Sequence, residues 1–232
     1  MSEMLWSEEF TDRSVRRSRH PDPDWAQACR LDPAVLRSLQ KFQVGESGDG
    51  ANLIARASST GDPDYEVAVR LFVAEEQNHA RMLAELLRAA GAPTIGAHWT
   101  DRVFIWSRRL MGLRLELMVL AIAEIVALRY YRALAEGGND ALLTDVSERI
   151  LDDEQYHVPF QCRRLVVEFD SLPKRARRPV RHAWRLLALG VIVVVAFDHG
   201  PALRACGVTR RAFVTDTLAL FDDAVASVFE GD

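Results

Sequence analysis

Apolar positions recur every three or four residues through most of the chain, and the strict alternation of a half-buried strand is almost absent. The pattern predicts an all-α protein, and its helix boundaries carry chemical signals. Asp32-Pro33 places a capping side chain before a proline at the first helical position, and Asp62-Pro63 repeats the arrangement. A first helix is therefore expected over Pro33 to Ser59 and a second over Pro63 to Ala90, with Gly91 as its stop. Residues 92–107 show no clean helical period and read as a connection. A third helix spans about Arg108 to Glu136 and ends at Gly137-Gly138. Asn139 caps a fourth, which runs to Phe169 before Ser171 and Pro173 break it. Two more follow, at residues 178–198 and 209–229, around Gly200-Pro201. Pro159 falls inside the fourth helix, where its missing N–H predicts a bend or bulge.

Two tight helical hairpins, a longer connection and a two-helix tail have the connectivity of a four-helix bundle with one long crossover and two additional C-terminal helices. One domain over residues 1–232 is expected, with an extension at 1–31, a core at 32–170 and a tail at 171–232. The longest apolar run, Leu186 to Phe197, spans about 18 Å as a helix, short of the roughly 30 Å hydrocarbon layer. It reads as a buried helix and not a transmembrane segment, although Arg181 and Arg185 before it suit a peripheral membrane contact.

Composition narrows the field only a little. With 49% apolar and 27% charged residues and a net charge of −4, the chain is not built to coat nucleic acid or an anionic membrane. The first twenty residues are too acidic for a signal peptide. Cys29, Cys162 and Cys206 are few, odd in number and widely spaced, so thiolates cannot assemble a metal centre. A reducing, cytoplasmic setting is expected, with the cysteines as buried fillers.

The polar residues are more informative. Glu46, Glu75, Glu76 and His79 recur as Glu124, Asp153, Glu154 and His157, each displaced by 78 positions with little other similarity. Glu46 and Glu76 lie about equally far from the turn near residues 60–62, so antiparallel helices bring them level. Glu124 and Glu154 straddle the turn at Gly137–Asn139 in the same way. Glu76 and His79 share a helix face, as do Glu154 and His157. Glu124 sits inside LMVLAIAEIVAL, where an ionised carboxylate needs compensation. Four carboxylates and two neutral imidazoles balance two divalent cations, and an oxygen-rich donor set with one imidazole per metal suits iron or manganese better than zinc.

In order and register, Glu46, Glu76-Gln77-Asn78-His79, Glu124 and Glu154-Gln155-Tyr156-His157 resemble the ferritin-like di-metal carboxylate superfamily over about residues 33–170. The resemblance implies two iron ions, or a manganese–iron pair, held by Glu46, Glu76, His79, Glu124, Glu154 and His157. In bacterial multicomponent monooxygenases of that superfamily an acid before each motif holds the opposite histidine. Glu75 and Asp153 stand at those positions. Tyr131, two turns after Glu124, matches a tyrosine of aldehyde-deformylating oxygenases, which the chain also resembles in length and helical layout; a core tyrosine is the plainer reading. The radical-bearing tyrosine of ribonucleotide reductase small subunits would fall at Leu83 or Gln161, which argues against such a radical.

Gly45, Gly48 and Gly50 crowd around Glu46, either to leave space beside a metal or to allow close packing or a local break. Arg163, Arg164, Lys174, Arg175, Arg177, Arg178, Arg181 and Arg185 form a basic stretch that reads as a solvated face. The expected function is a di-iron oxidase or oxygenase. It would use dioxygen, an external electron donor and a small apolar or amphipathic substrate, without nucleic acid, and a homodimer is compatible. The alternatives are a ferroxidase or iron-binding protein, against which the C-terminal helices and the second histidine count, and a rubrerythrin-like peroxidase.

Overall fold

The computed structural model describes residues 5–96 and 112–229, and among these there is no strand. Most of the connection expected at 92–107 lies outside the described residues. The chain divides into two compact units, one of Met1–Ala28 with Leu39–Leu113 and one of Cys29–Ser38 with Arg114–Asp232.

The first unit is built on α4 (Pro63–Ala89), following α1 (Trp6–Ser18), α2 (Pro33–Glu46) and α3 (Ala51–Ser58); the first turns of α2, up to Ser38, count with the second unit. Asp62 caps α4 by accepting the Tyr65 N–H at 3.0 Å, and Gly91 takes φ 72° just beyond its end, as the sequence predicts. Val69, Phe72, Leu83, Leu86 and Leu87 recur at helical spacing along its buried face. The first predicted helix is broken: α2 stops at Glu46 and α3 restarts at Ala51. Gly50 takes φ 62°, which glycine adopts without steric cost, and a Cβ there would fall on Val73. Nothing lies within 4 Å of a Cβ built on Gly45 or Gly48, so close packing does not explain those two.

The N-terminal helix is new relative to the sequence reading. Trp6 meets Tyr65 edge-on at 5.5 Å between ring centroids, Asp64 accepts the Ser7 hydroxyl, and Arg17 is ion-paired to Glu75. These contacts fix α1 along α4, and Phe10 and Arg13 of α1 are buried.

The second unit contains α5 (Leu113–Gly137), α6 (Ala141–Asp170), α7 (Lys174–Asp198), the short α8 (Gly200–Ala205) and α9 (Arg210–Phe229). Asn139 is not the cap of α6. It adopts φ 50°, and Asp140 accepts the Leu142 and Leu143 N–H groups, each at 3.1 Å. Pro159 does not interrupt α6, which is helical on both sides of it. The tail packs within this unit: Trp184 stacks edge-on against Phe221 at 5.1 Å and donates its indole N–H to the Met118 carbonyl, and Phe169 meets Phe229 at 4.9 Å.

The expectation of a buried helix at Leu186–Phe197 does not hold. Only Trp184, Ala188, Ile192 and Ala196, one turn apart, are buried along α7, while Leu186 is 70% and Phe197 62% exposed. By length and composition α7 is long and apolar enough to cross a membrane.

Candidate metal centre

Each unit carries one triad of two glutamates and a histidine. In the first, Glu46 ends α2, and Glu76 and His79 sit one turn apart on α4. His79 is fully buried, Glu46 nearly so, and Glu76 keeps 20% of its side chain exposed. His79 Nδ1 lies 3.4 Å from Glu76 Oε1, and each of the three residues offers an atom within 4.8 Å of the others.

The second triad repeats the design. Glu124 comes from the apolar α5, and Glu154 and His157 from α6. All three are buried. His157 Nδ1 lies 3.4 Å from Glu154 Oε2 and 3.5 Å from Glu124 Oε2, and the three again converge within 4.8 Å. In both triads the Nδ1 atom faces the glutamate three residues earlier.

These separations suit a shared cation better than direct hydrogen bonds. A good N–H···O bond spans about 2.7–3.2 Å. Two ligand atoms each about 2.1 Å from one metal, at a right angle or wider, lie roughly 3–4 Å apart. Two carboxylates and one neutral imidazole bring two negative charges to each triad, the charge that a divalent ion neutralises. The donor set holds no sulfur: burial pushes the Cys29 thiol up to about 12 and those of Cys162 and Cys206 to about 11, which keeps them protonated and inert.

The residues expected behind the ligands are also inside. Asp153 is 1% exposed and Glu75 4%. Glu75 has the Arg17 guanidinium as a partner, which the sequence reading could not supply because α1 was not expected. Tyr131 is fully buried, its ring edge-on to Tyr130 with centroids 5.4 Å apart.

Two buried polar features escape sequence reasoning. Ser38 Oγ lies 2.7 Å from the Tyr130 hydroxyl and 2.7 Å from His199 Nδ1, a three-residue chain whose members have no common motif spacing. Burial holds the Tyr130 phenol well above its ordinary range. Gln161, one turn after His157, is fully buried, and neither of its amide atoms has a hydrogen-bond partner among the described residues. A separate apolar cavity of about 360 Å³ is lined by Leu128, Pro159, Cys162, Val166, Leu220 and Ala224, and includes no triad residue. The basic stretch is partly engaged, Arg164 with Glu168 and Arg185 with Asp222. Buried carboxylate and imidazole groups that could hold metal ions are therefore present on an all-helical scaffold, and no protein-family model and no curated protein matches the chain.

Proposed function

We propose that Glu46, Glu76, His79, Glu124, Glu154 and His157 would hold the two ions of one dinuclear centre in a ferritin-like bundle, and that the protein is a cytoplasmic non-haem di-iron oxidase or oxygenase. The observation that carries this reading is the twofold occurrence, at one 78-residue offset, of a Glu and Glu-x-x-His triad whose histidine is fully buried. Carboxylate-rich sites with one imidazole per metal favour iron, with manganese–iron as the nearest variant. Two ferrous ions, when bound, supply the electron pair that reduces dioxygen.

The chain's own residues do the rest. Glu46, Glu76 and His79 would hold one ion, and Glu124, Glu154 and His157 the other. Asp153 and Glu75 hold the remaining ring nitrogens of His79 and His157 respectively, fixing tautomer and ring orientation. The apolar stretch of α5 around Glu124, from Leu117 to Val126, excludes water and strengthens every electrostatic interaction at the site. The Gln161 amide offers a donor and an acceptor beside His157 to a polar group of a small substrate. Tyr131, buried on the same helix as Glu124, would relay an electron or a hydrogen bond toward the centre.

Apoprotein is loaded with Fe²⁺ without oxygen, then mixed with oxygen while iron oxidation is counted. Oxidation stopping near two irons per chain, followed by oxygen uptake that needs an electron donor and an organic substrate, is the expected result. Oxidation of hundreds of irons per chain with deposition of mineral would establish iron storage in place of oxygenation.

A further inference from the structure

The face of α7 opposite the core is built like an interface. Trp184, Ala188, Ile192 and Ala196 hold one side of the helix against its own unit. At 100° per residue, Pro179, Ala183, Leu186, Gly190, Val194 and Phe197 lie on the other side, and all six are exposed. Their spacing of four, three, four, four and three residues is that of a helix-pairing seam. No residue of this stripe is charged over its length of about 27 Å, and the one cation that meets it is the Arg210 guanidinium, 4.7 Å from the Phe197 ring centroid at its C-terminal end. Leu186 is 70% exposed, Phe197 62%, Val194 46% and the adjoining Leu187 42%. Contiguous apolar surface of this kind marks an interaction site.

We propose that this face pairs with the same face of a second copy of the chain, the two α7 helices running antiparallel about a twofold axis at Gly190. Three observations select this occupant. Nothing lies within 4 Å of a Cβ built on Gly190, so two backbones can approach there. Antiparallel pairing about Gly190 sets Ala183 against Phe197 and Leu186 against Val194, small against large and medium against medium. A parallel pair would set Phe197 against Phe197. It would also align Lys174, Arg175, Arg177, Arg178, Arg181 and Arg185 with their copies, and antiparallel pairing separates these like charges.

Two such faces bury on the order of 1,000 Å² in total, the lower limit for a specific interface. A bilayer fits less well. The Trp184 face is already covered by its own unit, and a crossing of the bilayer by α7 would carry the ion pair of Arg185 with Asp222 into the lipid. The pairing is independent of the metal site.

The full-length protein is run through size exclusion with light scattering at micromolar concentration, alongside Leu186→Asp and Val194→Asp. The wild type is expected at twice the 26.1 kDa chain mass, and each variant at the chain mass with unchanged helical circular dichroism. Gly190→Cys under mild oxidant should give a disulfide-linked dimer, because the native thiols are buried. Ala183→Cys alone should not, whereas Ala183→Cys combined with Phe197→Cys should. A wild-type monomer, a dimer indifferent to Leu186→Asp, or cross-linking through Ala183→Cys alone overturns the proposal. Cosedimentation of a monomeric wild type with anionic phosphatidylserine vesicles, abolished by Leu186→Asp, would overturn it in favour of a membrane surface.

Discussion

Replacing Gly50 with alanine tests how the chain leaves α2 just after Glu46. The native φ of 62° is left-handed, a conformation that costs an L-residue about 1–2 kcal/mol. The new Cβ also lands on Val73, with Cγ1 2.6 Å away, and Val73 is only 6% exposed, so it has little room to yield. Overpacking of this kind costs about 1–3 kcal/mol. Gly50→Ala should therefore lower the unfolding free energy by about 2–5 kcal/mol, read as a shift in the urea midpoint at unchanged slope. Val73→Ala removes the two methyl groups that clash but keeps a Cβ 3.1 Å away, and it leaves the φ cost, so the double variant should be less destabilised than the sum of the singles by about 1–2 kcal/mol. Gly50→Ala within about 0.5 kcal/mol of wild type, or strict additivity with Val73→Ala, would show that neither the left-handed φ nor Val73 holds this turn.

Asp140→Ala should cost about 1–2 kcal/mol, because one carboxylate caps α6 and also accepts the Arg30 N–H at 2.9 Å; calorimetry checks this, and Asp140→Asn should retain most of the stability. Burial pushes the Asp140 carboxyl up, but the Arg30, Leu143 and Leu142 N–H donors and the Cys29 thiol outweigh it and leave its pKa lowered. Its stabilising effect is thus present above the ordinary carboxylate range and lost as pH falls through the lowered value, so wild type and Asp140→Ala should converge in acid. The thiols work in the other direction: raised folded values mean the unfolded chain ionises first, from about 9, and stability falls as pH rises toward about 11–12. Native protein at neutral pH should accordingly resist thiol reagents that label the urea-unfolded chain fully. Arg17→Ala should cost about 1–3 kcal/mol by removing one partner of buried Glu75 and loosening α1, seen as faster proteolysis before Trp25.

What the sequence reveals follows from how local the controlling physics is. The triads are legible because a metal tolerates few residue types at fixed helical spacing, and a 78-residue repeat of charged residues in apolar helices has few other causes. The start of α4 is equally plain, since Asp62-Pro63 acts within one turn. Asn139 and Asp140 are chemically near-equivalent caps, and only the φ of Asn139 separates them. The break after Glu46 is foreshadowed by three glycines, but which of them turns the chain depends on Val73, 23 residues away. Helix α1 has a polar surface and is held by Asp64 and Glu75, partners that no local pattern announces. The end of α7 is apolar all round, so periodicity cannot say which side the second unit covers, and the exposed Leu186 and Phe197 follow from that.

Whether the two triads hold metal is read from the stoichiometry of bound iron. Apoprotein titrated with Fe²⁺ without oxygen, desalted and assayed for iron, should retain two irons per chain, and so should any divalent ion of similar size. His79→Ala and His157→Ala should each fall to about one tightly held ion, with loss of 10-fold or more in affinity for the other, and Glu154→Ala should disturb both. Folded wild-type protein that retains no iron, or His79→Ala and His157→Ala variants that bind like wild type, would show that the triads are not metal sites.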